Sequence, residues 1–272
     1  CIMGLTSNVR INGGKFMFRE EIAAISACAA TKVKLLKTNP AGYFLMSIFG
    51  GVFIGLGVLL SYTLGGQLQG SPYGKLMMGI FFSSALSLII MAGAELFTGN
   101  NVVLATGVLK GSVSLSDTLK LWTVCWFGNL LGSVILSFLF SFAGLYKDAT
   151  LASIVGGAAA KMSLPPLALF IRGLLCNYLV CLAVWCGFRC KSESGKLIMV
   201  FWCIVIFFIA GFEHSVANMT VLALSLIDNG GNTAISMGGF WYNLILVTLG
   251  NIVGGALFVA IPYYITAFDK EK

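Results

Sequence analysis

The chain has 272 residues, 58% of them hydrophobic and only 10% charged, with a formal net charge of +7. Soluble domains of this size carry roughly a quarter charged residues, so the polar surface here cannot cover a globule in water and the composition is that of an integral membrane protein. The eight cysteines fall mostly inside apolar runs with no C-x-x-C pair; they read as small packing residues, and neither a disulfide framework nor a metal or cofactor site is expected.

In chain order, residues 1–40 form an expected cytoplasmic N-terminal segment. Its stretch FREEIAAISACAATKVKLLK (18–37) reads either as an amphipathic helix lying at the inner membrane surface or as a solvated helix. The first 38 residues are polar or amphipathic and carry no cleavable signal pattern. Asn39-Pro40 marks a helix end. Six stretches are apolar and long enough to span: 41–64, 76–96 with a continuation near 101–109, 119–145, 165–189, 197–212 with a continuation to about 227, and 239–267. The second and fifth are interrupted. The expected organisation is a first three-helix repeat (41–146), an extracytoplasmic linker (147–164), a second repeat (165–268) and a cytoplasmic tail (269–272).

Charge sets the expected orientation. Arg10, Lys15, Arg19, Lys32, Lys34 and Lys37 precede span one; Lys110 and Lys120 flank the two–three loop; Arg189, Lys191 and Lys196 flank the four–five loop; Lys270 and Lys272 follow span six. The other side holds only Lys75, Lys147 and Lys161, with Arg172 near a span end. By the positive-inside rule both termini are cytoplasmic, in a plasma or cell inner membrane. The net charge then reflects topology and does not point to nucleic acid.

The apolar run of span five stops at AGFEHSVAN (210–218), and span two stops at AGAELFTGN (92–100). The two share the frame A-G-x-E-x-x-x-x-N. GNLLGSVIL (128–136) and GNIVGGALF (250–258) share a second frame. The chain is therefore two related halves of three spans, and an odd count per half inverts the second in the membrane. Corresponding broken helices meet near the bilayer midplane in such folds, and interrupted backbone is tolerated there only where protein or a watery cavity satisfies it. Thr98, Gly99 and Asn100, like Ser215 and Asn218, read as turn formers at the breaks. Glu95, Glu213, Asn100 and Asn218 recur in both halves, which favours a supporting job, with the carboxylates accepting freed backbone N–H groups. His214 has Leu96 as its mate. A residue that breaks the symmetry is the better candidate for function. Gly51 and Gly55, Gly128 and Gly132, and Gly250 and Gly254 are spaced for close helix approach.

MAGAELFTGN (91–100), GLLCNYLVCLA (173–183) and AGFEHSVANM (210–219) together resemble the formate/nitrite transporter family, and the likeness of the whole chain leans toward its hydrosulfide-channel branch. The resemblance implies an all-α, aquaporin-like fold of six spans in two inverted halves, broken at spans two and five, with one pore per protomer and five protomers per ring in lipid. It implies an Ω-shaped loop from about Leu96 to Val102, a pore centre of Thr98, His214 and Asn177, and an anion-attracting Lys161 near the outer half of the pore. It places Leu86, Leu96 and Phe207 at an inner constriction and Phe82 at an outer one.

The expected function is passage of small monovalent anions of weak acids: hydrosulfide, formate or nitrite. A bare anion pays many kcal/mol to enter hydrocarbon, and half-helix N-termini offset part of that cost. The histidine would donate a hydrogen bond to the anion, with optional proton transfer, so a proton-coupled formate or nitrite carrier is the close alternative. A water channel would need Asn-Pro-Ala on both half-helices; the one copy, Asn39-Pro40-Ala41, lies before span one. A membrane-embedded enzyme is the reading from a different class, and Glu213 beside His214 is its sole candidate pair; no catalytic activity is expected.

Overall fold

The computed structural model describes residues 17–267; the tail 269–272, residue 268 and the first 16 residues of the expected N-terminal segment lie outside that range. All regular structure among the described residues is helical. α1 is Arg19–Thr38, α2 Pro40–Gln67, α3 Gly74–Phe82, α4 Ser84–Leu88, α5 Phe97–Lys110, α6 Leu115–Phe142 and α7 Asp148–Met162. α8 is Pro166–Arg189, α9 Glu193–Ala210, α10 Ser215–Ile227, α11 Met237–Gly255 and α12 Ile261–Ala267, with π-helical turns at Ile89–Gly93 and Ala256–Ala260. Six stretches have the length and hydropathy to cross a membrane: α2, α3 through Gly93, α6, α8, α9, and α11 through α12.

The helix starts are written locally. Asn39 caps α2 by accepting from the Gly42 N–H, with Pro40 at the first helical position. Ser114, Ser192 and Ser236 cap α6, α9 and α11 through their hydroxyls. Leu131, Phe138, Phe142, Trp202, Ile206 and Ile245 are large, apolar and exposed, the surface of a protein whose solvent is lipid.

α2 lies along α6 and α8 along α11, and these are the two most extensive helix contacts. The spaced glycines create them. A Cβ on Gly132 would strike the Ile48 carbonyl, and one on Gly254 would strike the Leu174 carbonyl. The same pairing therefore recurs in each half, with small residues letting backbones meet.

α1 is amphipathic. Its apolar face of Ile22, Ile25, Cys28, Ala29 and Val33 is buried, chiefly against α5 and also against α2 and α8. It is docked onto the bundle, because Lys32 on that helix reaches inward to the Glu95 carboxylate.

Candidate functional site

Both breaks follow one plan. Gly93 and Gly211 adopt left-handed backbone, with φ of 81° and 78°, and each ends the helical run before its break. Ala94 and Leu96 are extended, and α5 begins at Phe97. In the other half His214 is extended and α10 begins at Ser215. The first break thus spans Ala94–Leu96. Thr98, Gly99, Asn100 and Val102, expected in a loop running to Val102, lie in the first turns of α5, and Ser215 and Asn218 open α10. From Asn100 and Asn218 onward the N–H groups bond back along the half-helix, whereas those of the first turn have no partner within it.

The freed backbone groups are taken by asparagines from the second repeated frame. Asn129 Oδ1 accepts the Phe97 N–H at 2.9 Å, and its amide donates to the carbonyls of Glu95 (2.9 Å) and Ser47 (2.6 Å). Asn251 Oδ1 accepts the Ser215 N–H at 3.0 Å, and its amide donates to the carbonyls of Glu213 (3.1 Å) and Gly173 (2.7 Å). The Glu95 and Glu213 N–H groups donate to the carbonyls of Met46 and Arg172. Only an amide supplies an acceptor and two donors at once.

The carboxylates therefore do a different job from the one expected. Glu95 takes the Lys32 ammonium, the Tyr43 hydroxyl (3.1 Å) and the Asn100 amide (2.9 Å). Glu213 takes the Lys161 ammonium at 3.0 Å from each oxygen and the Asn218 amide at 2.6 Å. Asn218 also donates to Asn243, whose own amide donates to the Lys161 carbonyl. Each half-helix start thus sits on a buried, hydrogen-bonded ion pair, since a buried carboxylate without a counter-charge would be costly. Neither carboxylate is left to receive a backbone N–H.

His214 lies where the half-helix N-termini meet. Its Nδ1 accepts the Ala217 N–H at 3.0 Å, making the imidazole the cap of α10. That acceptor role places the ring proton of the neutral imidazole on Nε2, which donates to Thr98 Oγ1 at 3.0 Å. The Thr98 carbonyl accepts from Asn177 Nδ2 at 3.2 Å and from the Cys181 thiol. Asn177 also donates to Asn101 Oδ1 and the Asn251 carbonyl, while its own Oδ1 and Ser215 Oγ are buried without a hydrogen-bond partner among the described residues. His214, Thr98 and Asn177 thus form one connected group. Glu213 and His214, adjacent in sequence, bind different partners and do not form an acid–base couple.

A cavity of about 340 Å³ opens above the histidine on the face opposite α1. His214, Lys161, Glu213, Phe82 and Phe207 line it. The Phe82 and Phe207 rings meet edge to face, 5.8 Å between centroids, and Phe207 stacks on the imidazole at 6.0 Å. Phe82 and Phe207, assigned by resemblance to different constrictions, share this cavity. Leu86 and Leu96 are buried and do not line it.

Lys32, Tyr43, Asn243, Asn129 and Asn251 also belong to the site, the first three without a motif that singles them out in the sequence. The signal for the last two is the repeated G-N frame itself, in which the asparagine recurs as faithfully as the packing glycine.

The family model described as "Formate/nitrite transporter" matches residues 20–265. The "Nitrite transporter NirC" of Escherichia coli (strain K12) is 41% identical over 249 residues, covering 91% of this chain and 92% of that one. A solved structure described as "FNT family ion channel" superposes with a TM-score of 0.86 at 38% identity, over 91% of this chain and 98% of the other. A second, described as "Pentameric formate channel with formate bound", gives a TM-score of 0.73 at 30% identity, over 83% and 96%.

Proposed function

The chain belongs to the formate/nitrite transporter family, and on that premise we propose that each protomer passes small monovalent anions of weak acids through its own pore. It is a multi-pass membrane protein. Nitrite leads the candidates because a 41% identical relative carries that name; formate and hydrosulfide have the same charge and comparable size. The pentameric state of one structural relative supports five protomers per assembly. Thirteen of the seventeen basic residues lie on the side of the termini, which supports cytoplasmic termini in a plasma or inner membrane.

One observation carries this reading: the N-terminal ends of α5 and α10 converge at a histidine–threonine contact beneath a cationic cavity. Both positive helix ends lower the cost of a negative solute at the point of greatest burial. The Phe82–Phe207 contact is apolar, which disfavours hydrated metal cations. Lys161 contributes as part of a neutral pair, because Glu213 compensates its charge.

The hydrogen bonds at His214 also favour donation over proton transfer. With Nδ1 accepting from the Ala217 N–H, the imidazole has a single proton, on Nε2. Giving it up through Thr98 would leave an imidazolate. Taking a second proton on Nδ1 would break the cap of α10. The Thr98 hydroxyl, accepting from His214, turns its own hydrogen to the anion and hands on the polarisation of the ring.

Flux of nitrite, formate, hydrosulfide and chloride into proteoliposomes tests the reading. Nitrite should enter faster than in empty liposomes, and rates equal to the empty control would overturn it. His214→Asn keeps a good capping side chain but loses the Nε2 donor. It should lower nitrite flux about three- to tenfold, the worth of the hydrogen bond that orients the Thr98 hydroxyl, at every pH. A pH profile that changes shape in this variant would instead favour the proton-coupled carrier.

A further inference from the structure

The cavity holds more positive charge than its carboxylate offsets. Lys75, Lys161 and Arg172 line it against Glu213. Lys161 is committed to Glu213. Lys75 and Arg172 remain, and neither side chain has a hydrogen bond or ion pair among the described residues. Lys75 is exposed yet turned inward: a Cβ built on Gly211 would lie 3.8 Å from its ammonium. That places the charge over the C-terminal end of α9, whose dipole favours a cation there.

The repeat separates these two residues from the machinery of the breaks. Glu213 N–H donates to the Arg172 carbonyl as Glu95 N–H donates to that of Met46, so the mate of Arg172 is an apolar Met46. Lys75, in the first turn of span two, has Glu193 at the same offset that relates the two break motifs. Glu193 is paired with Lys196 at 2.9 Å. Neither charge is required by the break architecture, since the other half builds its break without it.

We infer that Lys75 and Arg172 form a capture site for planar monovalent oxyanions, nitrite or formate, at the mouth of the cavity before the Phe82–Phe207 contact. The inference rests on the anion-pore reading above. A guanidinium presents parallel N–H donors that match the two oxygens of an O–N–O or O–C–O group. A lysine supplies charge without that geometry. Apolar rings of Phe207, Phe208 and Phe212 wall the same space and focus the field of the two cations. Spherical chloride and hydrosulfide gain the attraction and lack the two-point match.

The test is single-channel conductance of the full chain in planar bilayers, as half-saturating concentration for nitrite and, by competition, for chloride. Arg172→Gln and Lys75→Gln should each raise the nitrite value about five- to tenfold, as expected for loss of a charge-assisted contact, with saturating conductance retained. Arg172→Lys should restore chloride and leave nitrite weakened. Lys75→Cys, at an exposed position, allows the charge to be varied without a folding question. A membrane-impermeant cationic thiol reagent should restore nitrite capture, and an anionic one should weaken it further. An unmoved half-saturation in both Gln variants, equal effects of the two thiol reagents, or wild-type nitrite affinity in Arg172→Lys each overturns the inference. A wild-type channel that carries no anion at all refutes the pore reading instead.

Discussion

The two helix breaks share a scaffold and differ in what they present to each other. Each has a left-handed glycine, a cross-braced asparagine, and a carboxylate clamped between a lysine and a second asparagine five residues on. They differ at the residue that precedes the half-helix: Leu96 in one, His214 in the other. What repeats is what a broken helix needs in a membrane, namely partners for its freed backbone groups and a counter-charge for its carboxylate. What fails to repeat is free to face the solute. The two halves thus sort their residues by role without reference to any substrate.

The asparagine braces carry the largest expected effect. Asn129→Ala and Asn251→Ala each leave one backbone N–H and the carbonyl of the break glutamate buried without partners, and remove a second bond from a carbonyl inside α2 or α8. Each should cost about 2–6 kcal/mol, a penalty of 1–3 for each of two orphaned groups, and the two losses should be alike. Thermal unfolding in detergent, read with the fraction running as intact assembly, checks this. If one variant were near wild type, the halves would not be held by the same device.

The ion pairs come next. Glu95→Gln strands Lys32, and Glu213→Gln strands Lys161. Removing one member of a buried pair costs about 3–5 kcal/mol. The double variants Glu95→Gln/Lys32→Met and Glu213→Gln/Lys161→Met should recover most of it, since no charge is left uncompensated. A double-mutant cycle on melting temperature reads the coupling in each half. Coupling in one half only would show that the other lysine serves the solute more than the fold.

Much of this scaffold was legible in the residues, and what was hidden was hidden for identifiable reasons. Six apolar runs, two of them interrupted, and the matched A-G-x-E-x-x-x-x-N frames locate both breaks to within a few residues. The bend itself was misplaced toward Thr98–Asn100, because turn-forming residues lie there. The chain turns at Ala94–Leu96, which have no turn chemistry of their own and are held extended by Asn129 from another span. Lys32 escaped because the repeat is not rigid in sequence. It precedes Glu95 by 63 residues, whereas Lys161 precedes Glu213 by 52, so no single offset superimposes the two pairs. His214 could be singled out as a symmetry breaker, but its tautomer depends on the Ala217 N–H, which only the cap geometry reveals.

The finest test lies at the contact between the halves. Thr98 and Val216 are mates, each the second residue of its half-helix. Thr98→Val makes the two starts alike at that position and removes the acceptor of the His214 Nε2–H. Shape is nearly conserved and one hydrogen bond is lost, so stability should fall by only about 1–2 kcal/mol. Transport should fall further than that loss implies, because the variant removes the hydroxyl that turns toward the anion as well as the acceptor that orients the ring. Thr98→Ser keeps the hydroxyl and should restore nitrite flux even if packing suffers. Melting temperature and proteoliposome flux measured on the same preparations separate these effects. If valine conducts as well as threonine, the contact serves only to join α5 to α10, and the histidine must meet the solute without its help.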